Sequence, residues 1–353
     1  MTPRHYGNWF DIQIMGEDDM ASYKEFHKRS IEDRDGFWGE QAQLIHWNKQ
    51  PAQIYDFSNP PFVKWFVGGE TNLCYNAVDR HAETHPDRKA LVYISTETDE
   101  EKTYSFSELR AEVMRMAAIY QSLGVKKGDR VLIYMPMIAE ACFAMLACAR
   151  IGAIHSVVFG GFASHSLATR IDDAKPTVIV SADAGMRGGR PVPYKHLLDE
   201  AINLAEHKPA KVLMVNRGLD KAMEVVAGRD EDYATLRAQH LDAQVPVTWL
   251  ESSDPSYILY TSGTTGKPKG VQRDTGGYAV ALAASMKHIY CGNAGETFFS
   301  TSDIGWVVGH SYIIYGPLIA GMATVMYEGT PLRPDAGIWW KICQEQEVTV
   351  MFS

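Results

Sequence analysis

The sequence predicts an α/β fold of open, mostly parallel sheets with helices on both faces. Three observations carry this prediction. Strand-like runs rich in β-branched residues alternate with helix-like runs through most of the chain. At 353 residues with 46% hydrophobic content, the chain has enough apolar material to fill a sizeable core. An apolar run at 257–260 delivers the chain into a glycine-rich loop, and in open α/β sheets such strand ends are where ligands sit.

Taken in order, Ser30 is positioned to cap a helix carrying Phe37, Trp38, Gln41, Leu44 and Ile45, and 55–61, with Pro60 and Pro61, breaks regular structure. A short helix is expected over 72–86. A hairpin follows, with strands at 90–94 and 103–106 and an acidic turn through Glu97, Asp99, Glu100 and Glu101. Ser107 is the expected cap of the clearest helix, where Leu109, Val113, Met116, Ala117, Tyr120 and Leu123 form one stripe and Gly124 gives a stop. The alternation then begins: strand 130–135, apolar helix 138–150, strand 155–159, the turn Gly160-Gly161-Phe162 and helix 164–174, which ends before Pro176. Strands at 177–180 and 211–215 bracket a helix over 194–206. The polar stretch 216–244 reads as a linker or an insertion bearing one short helix. Later elements are a helix at 278–290, a strand at 297–300, an apolar helix at 308–320, a strand at 324–327, a helix at 335–344 and a final strand from 348. No repeat of fixed period and no low-complexity tract interrupts this order.

A net charge of −9 and a pI near 5.7 exclude a general nucleic-acid or anionic-membrane footprint, so any phosphate binding must be local. Five cysteines, at 74, 142, 148, 291 and 343, are odd in number and lack metal-like pairing, which points to a reduced, cytoplasmic compartment. No run has the length of an apolar membrane span, and the N-terminus has neither an apolar signal core nor the acid-poor character of a transit peptide. His81 and His85, four apart, lack a third metal ligand, and Cys142 and Cys148 on the apolar helix read as core.

The segment from Tyr260 to Val271 is hard to explain as ordinary packing. Thr261, Ser262, Thr264 and Thr265 supply hydroxyls, Gly263, Gly266 and Gly270 free the backbone, and Lys267 and Lys269 supply charge, which together make a grip for a polyanion. A P-loop of the Walker type requires GxxxxGK followed by Ser or Thr; here Gly263 and Gly266 are three apart and Pro268 follows Lys267. The proline keeps the chain extended and postpones the helix, so the loop wraps a phosphate chain without seating it on a helix N-terminus. The dinucleotide fingerprint GxGxxG is missing as well, which counts against nicotinamide chemistry.

Residues 261–271 resemble the phosphate loop of the adenylate-forming superfamily, which includes acyl-CoA synthetases, peptide adenylation domains and luciferases. Phe37-Trp38-Gly39-Glu40 with Trp47, Val158 to Phe162, Arg170 to Ala174 and Asp303 to Tyr312 narrow the resemblance to the short-chain acetate- and propionate-CoA ligases, the propionate group above all. The resemblance implies an incomplete N-terminal domain of such an enzyme: residues 1–19 a tail or tag, 20–70 an N-terminal capping segment and 71–353 a truncated AMP-binding domain. It also implies a two-step ligation with ATP, Mg²⁺ and coenzyme A, in which an acyl-adenylate forms and the thiol then displaces AMP. Thr261, Ser262, Gly263, Thr264, Thr265, Gly266, Lys267 and Lys269 would hold the ATP phosphates; Trp306, Val307 and Val308 would wall the acyl pocket; and Gly161, Arg187, Gly188, Gly189 and Arg190 would meet coenzyme A. Two guanidiniums flanking two glycines suit bidentate phosphate binding with close backbone access. Acetate-specific members of the family commonly carry threonine at the position of Val308. The valine makes the wall more apolar, and one methylene is worth about 0.8 kcal/mol of burial and roughly 10- to 200-fold discrimination in a fitted pocket.

The chain stops inside a β-run, so a fragment, a truncated reading frame or a deliberately cut chain is expected. The adenylation lysine of the family would then lie beyond Ser353, leaving no catalytic residue to name and an inactive chain. The partners implied are the small-molecule substrates propionate or acetate, ATP and coenzyme A, with neither nucleic acid nor membrane. The alternatives are a non-catalytic fragment that binds phosphate compounds weakly or associates through an apolar edge, and a peptide adenylation domain, which the N-terminal segment and the Arg187/Arg190 pair disfavour.

Overall fold

The computed structural model of the chain describes residues 23–261 and 268–353. Most of its strands form two large sheets, each parallel except for one antiparallel edge, and the rest pair in two-stranded ribbons. The seven-stranded sheet runs, in spatial order, Asp230–Asp232, Lys211–Val215, Val178–Ala182, Arg130–Tyr134, Ile154–Val157, Pro255–Thr261 and, antiparallel at its edge, Lys269–Asp274. The five-stranded sheet runs Val348–Phe352, Thr297–Ser300, Ala323–Glu328, Lys89–Ser95 and, antiparallel at its edge, Glu100–Ser105.

The period-two alternation of the strands builds the layers. Val131 and Ile133 face an inner core shared with Leu91, Tyr93 and Met326 of the other sheet, whereas Leu132 and Tyr134 face an outer core under the helices Ser164–Ala174 and Tyr194–Leu204. Val92, Ile94, Phe299 and Val325 point the other way, onto the helix Ile338–Glu345. Helices therefore lie between the sheets and outside both. The innermost, Ala139–Ile151, buries every residue except Glu140, as expected of a helix apolar on all sides. Burial of this kind explains why its sequence shows no stripe.

Several local expectations need correction. Ser30 lies inside the helix Tyr23–Glu32; Asp33 caps the next helix, Arg34–Gln41, by accepting the Gly36 N–H. The stretch read as irregular before Pro60 is a strand, Gln53–Asn59, paired with Phe62–Val67, and only the two prolines make the turn. Ser105, not Ser107, caps the helix Phe106–Ser122, because Ser105 and Glu108 satisfy each other's backbone N–H in a capping box. Within 216–244 the linker alternative falls, because Asp230–Asp232 joins the edge of the large sheet, while the one short helix expected there is Tyr233–Gln239, capped by Asp232.

The N-terminal segment packs on the helix Gly276–His288, with Phe26 against His288 at 4.8 Å and Gln41 bonded to the His288 ring at 2.8 Å. That helix follows directly from the antiparallel edge strand. The strands on either side of the glycine-rich segment thus pair antiparallel, with Thr261 opposite Lys269, and the next helix begins only at Gly276.

Candidate active site

A cavity of about 720 Å³ opens where strands of the two sheets end. Its walls come from the segments that follow those strands: Pro136 and Met137, Phe159 to Ala163, Ser300 to Asp303 with Trp306, and Tyr327 to Pro331. Met186, Arg187 and Tyr194 close it from the side. This is the position that open α/β sheets offer to ligands, because the loops beyond the strand ends are free to carry chemistry.

The Phe159–Phe162 turn shows what its glycines are for. A Cβ at Gly160 would run into the Tyr194 hydroxyl, and one at Gly161 into the Phe159 ring, so the turn closes on glycine alone. Phe162 is held from behind by Arg170, whose guanidinium lies 4.4 Å from its ring and 5.5 Å from that of Tyr260. Tyr260 donates a 2.6 Å hydrogen bond to Asp173. The 170–174 motif therefore anchors the strand that leads to Thr261 and ties it to the cavity wall.

Trp306 overhangs the cavity, half exposed, against Phe159 at 5.5 Å. Val307 and Val308 follow in the first turn of the next helix, Val307 exposed and Val308 partly buried, and neither lines the cavity. Asp303 does line it. Its carboxyl accepts the Gly305 N–H at 2.7 Å, and burial pushes its pKa up, opposed by that hydrogen bond and by Arg187.

Arg187 and Arg190 face each other across a two-residue hairpin of Gly185–Arg187 and Arg190–Val192. Gly188 and Gly189 take φ of 61° and 79°, the conformation that such a tight turn demands. Arg187 lines the cavity and Arg190 is exposed outside it. The Gly188 and Gly189 N–H groups donate to the Glu97 carboxylate at 2.9 and 2.6 Å. Thr261 and Lys269 mark the two ends of the glycine-rich segment expected to grip phosphates, both exposed; Ser262, Gly263, Thr264, Thr265, Gly266 and Lys267 lie outside the described residues.

Sequence reasoning misses the ion pair at the cavity floor. Arg217, just after one strand of the large sheet, donates twice to Glu328, at the end of a strand of the small sheet, both at 2.7 Å. Glu328 also accepts from Tyr93 at 3.0 Å and Ser95 at 2.8 Å. Burial and the Glu328 carboxylate push the Tyr93 phenol up, so it remains a donor. No local pattern announces a pair 111 residues apart.

Beneath the site, the His155 ring stacks on those of Tyr257 and His310 at 5.5 and 5.4 Å, and the latter two meet at a tilt, 4.7 Å apart. His155 accepts or donates a 2.8 Å bond with Tyr315, and His310 Nδ1 lies 3.1 Å from the Trp306 carbonyl. His155 Nδ1, His310 Nε2 and the Tyr257 hydroxyl have no partner among the described residues. Burial drives the His155 pKa far below its ordinary value and that of His310 to about 4, so both rings are neutral near pH 7.

Comparison with known proteins agrees with this geometry. Residues 78–353 match the family model of AMP-binding enzymes, and residues 23–77 match that of the acetyl-coenzyme A synthetase N-terminus. A propionate–CoA ligase of Salmonella typhimurium is 64% identical over 332 residues, covering 94% of this chain and 53% of the relative. The propionate–CoA ligase of Escherichia coli is 62% identical over the same shares. The mitochondrial acyl-CoA synthetase short-chain family member 3 of Rattus norvegicus is 49% identical, covering 94% of this chain and 49% of its own length. The chain spans about half the length of these curated relatives. With more than half of its residues in the matched region, the chain belongs to the family of AMP-binding enzymes.

Proposed function

We propose that the full-length protein acts in the ATP-dependent ligation of a short-chain carboxylic acid, propionate in preference to acetate, to coenzyme A through an acyl-adenylate. The observation that carries this reading is that Gly161, Arg187 and Trp306, far apart in sequence, line one cavity beside the strand that enters the phosphate loop. Identity of 62–64% to propionate–CoA ligases supports the choice of acid.

In this reading the carboxylate oxygen attacks the α-phosphate of ATP, and pyrophosphate leaves. Thr261 and Lys269, with Ser262, Gly263, Thr264, Thr265, Gly266 and Lys267 between them, hold the β- and γ-phosphates, where charge builds up as pyrophosphate departs. Trp306 covers the acyl chain, and Val307 and Val308 set the stiffness and size of the turn that carries it. The thiol of coenzyme A then attacks the acyl carbon and AMP leaves; Gly161, Arg187, Gly188, Gly189 and Arg190 receive the coenzyme's phosphorylated nucleotide. Among the described residues no group of three His, Cys, Asp or Glu side chains is placed to hold a metal ion. Mg²⁺ would enter on the phosphates of ATP and neutralise their charge, and no step is routed through it. Residues 20–70 serve as a cap braced on the helix Gly276–His288, and 71–353 form the nucleotide-binding domain. A cytoplasmic setting suits five free cysteines; among the described residues no helix is long and apolar enough to cross a membrane.

Propionate-dependent exchange of labelled pyrophosphate into ATP tests the reading. In the full-length protein, exchange that is stronger with propionate than with acetate and is lost on Lys269→Ala is the expected outcome; the 353-residue chain alone is expected to give none. Binding of ATP or coenzyme A without exchange favours a non-catalytic binder of phosphate compounds. Loading of a carrier-protein thiol in preference to coenzyme A overturns the choice of acceptor.

A further inference from the structure

The hairpin carrying Arg187 and Arg190 already holds an anion. The positive φ of Gly188 and Gly189 turns two consecutive N–H groups to one side, which makes a concave nest for anionic oxygens. One carboxylate, Glu97, fills it with a hydrogen bond from each glycine, 2.9 Å to Oε1 and 2.6 Å to Oε2. Glu97 comes from the turn between Lys89–Ser95 and Glu100–Ser105 in the small sheet, whereas the hairpin follows the Val178–Ala182 strand of the large one. The contact therefore spans the two sheets at the mouth of the cavity.

A third cation stands at the nest. A Cβ on Gly189 would lie 2.5 Å from Arg333 Nη1, so the Arg333 guanidinium rests on the turn itself. Arg333 is fixed there through its main chain: the Tyr327 hydroxyl donates toward the Thr330 and Arg333 carbonyls at 3.1 and 3.3 Å and meets Thr96, the neighbour of Glu97, at 2.9 Å. Among the described residues none of Arg187, Arg190 and Arg333 has an ion pair. The turn thus gathers three guanidiniums against two carboxylates, Glu97 in the nest and Asp303 beside Arg187, and the cation left over is met by an anion of higher charge than a carboxylate. A phosphate monoester, with a charge of about −1.5 to −2 and three acceptor oxygens, is such an anion.

We propose that Glu97 is a built-in competitor of the coenzyme A phosphate at this hairpin, and that Arg333 is a further residue receiving that phosphate. The proposal rests on the coenzyme A reading given above. Each glycine N–H makes one good hydrogen bond, so phosphate and Glu97 cannot hold both donors together. Glu97 is displaced when phosphate enters, and its negative charge lowers the affinity that the three arginines would otherwise give. The part of the coenzyme it senses is the phosphate monoester on the ribose, since this is the group of highest charge.

Calorimetric titration of the 353-residue chain and of its Glu97→Gln, Arg333→Ala and Arg187→Ala variants with coenzyme A and with dephospho-coenzyme A is the test, with melting temperature reporting on the fold. Glu97→Gln keeps the side chain's shape and removes the competing charge. It is expected to bind coenzyme A about threefold more tightly or better, the scale of an exposed charge interaction, with dephospho-coenzyme A unchanged. Arg333→Ala is expected to bind coenzyme A about threefold more weakly, again with dephospho-coenzyme A unchanged. Equal or weaker coenzyme A binding by a well-folded Glu97→Gln overturns the competitor role and makes Glu97 a brace of the hairpin. If Arg187→Ala weakens binding while the other two variants do not change it, the coenzyme A reading stands and this proposal falls. If coenzyme A binds to none of the four proteins, both fall.

Discussion

Arg217 and Glu328 are the pair on which the cavity floor depends. Their side chains are 10% and 4% exposed, and each sits at the end of a strand from a different sheet, so the pair fixes how far apart the strand ends stand. Burying two charges costs several kcal/mol of hydration, and only the two-pronged geometry with added donors from Tyr93 and Ser95 offsets that cost. Removing one partner leaves the other charge without its counterion. Glu328→Gln is therefore expected to lower the unfolding free energy by about 3 kcal/mol or more, measured by urea denaturation. Arg217→Met with Glu328→Leu is expected to cost less than the sum of the single variants, because the double change leaves no orphaned charge. Additive losses would mean that the two residues act independently, contrary to the geometry.

The helix Phe106–Ser122 illustrates how much of an element the sequence reveals. Its stripe of Leu109, Val113, Met116, Ala117 and Tyr120 is legible because all five are buried on one side, while the choice of cap among Ser105 and Ser107 is decided by geometry. Ser105→Ala is expected to cost about 1 kcal/mol in thermal unfolding, and Ser107→Ala distinctly less. A larger loss on Ser107→Ala than on Ser105→Ala would return the cap to Ser107. The same division holds elsewhere. Strands such as Lys211–Val215 and Thr297–Ser300 are readable from their β-branched and aromatic runs, but the strand Asp230–Asp232 consists of three acids and has no pattern to read. It is a strand because it pairs with the open edge at Val212–Met214 and because Lys195, 1% exposed, holds Asp230 at 3.0 Å. The division into two sheets is equally invisible locally, since Ala323–Glu328 pairs with Lys89–Ser95 from over 200 residues away. At the site, Gly161, Arg187 and Trp306 can be named from sequence because each lies in a short local motif. Glu97, Arg217, Glu328 and Arg333 cannot, because only tertiary pairing gives them a role.

At the scale of the whole molecule, the stacked rings of His155, Tyr257 and His310 join three segments that separately reach the site. His155 lies on the strand leading to Gly160 and Gly161, Tyr257 on the strand leading to Thr261, and His310 one helical turn after Trp306. None of these rings touches the cavity, yet the stack sets where all three segments leave the core. It also makes the core sensitive to acid. Burial depresses the pKa of His155 strongly and that of His310 to about 4, and burial with Arg80 nearby depresses that of His81 to about 4. The sign follows from which state binds the proton. Above pH 6.5 these histidines are neutral whether the chain is folded or not, and they add no pH dependence. Between about 6.5 and 4 the unfolded chain takes up protons that the folded one refuses, so stability falls as pH falls. Asp303, Asp274 and Glu140, whose pKa values burial raises, act in the opposite sense, because the folded chain accepts their protons first. The histidine contribution is therefore best isolated by comparing two proteins. His310→Asn keeps a donor for the Trp306 carbonyl and removes the titrating ring. Relative to wild type, its stability deficit is expected to shrink by about 3 kcal/mol between pH 7 and pH 4, measured by urea denaturation across that range. Parallel stability curves for the two proteins would mean that His310 is protonated in the folded state, and the dry, neutral stack beneath the site would have to be abandoned.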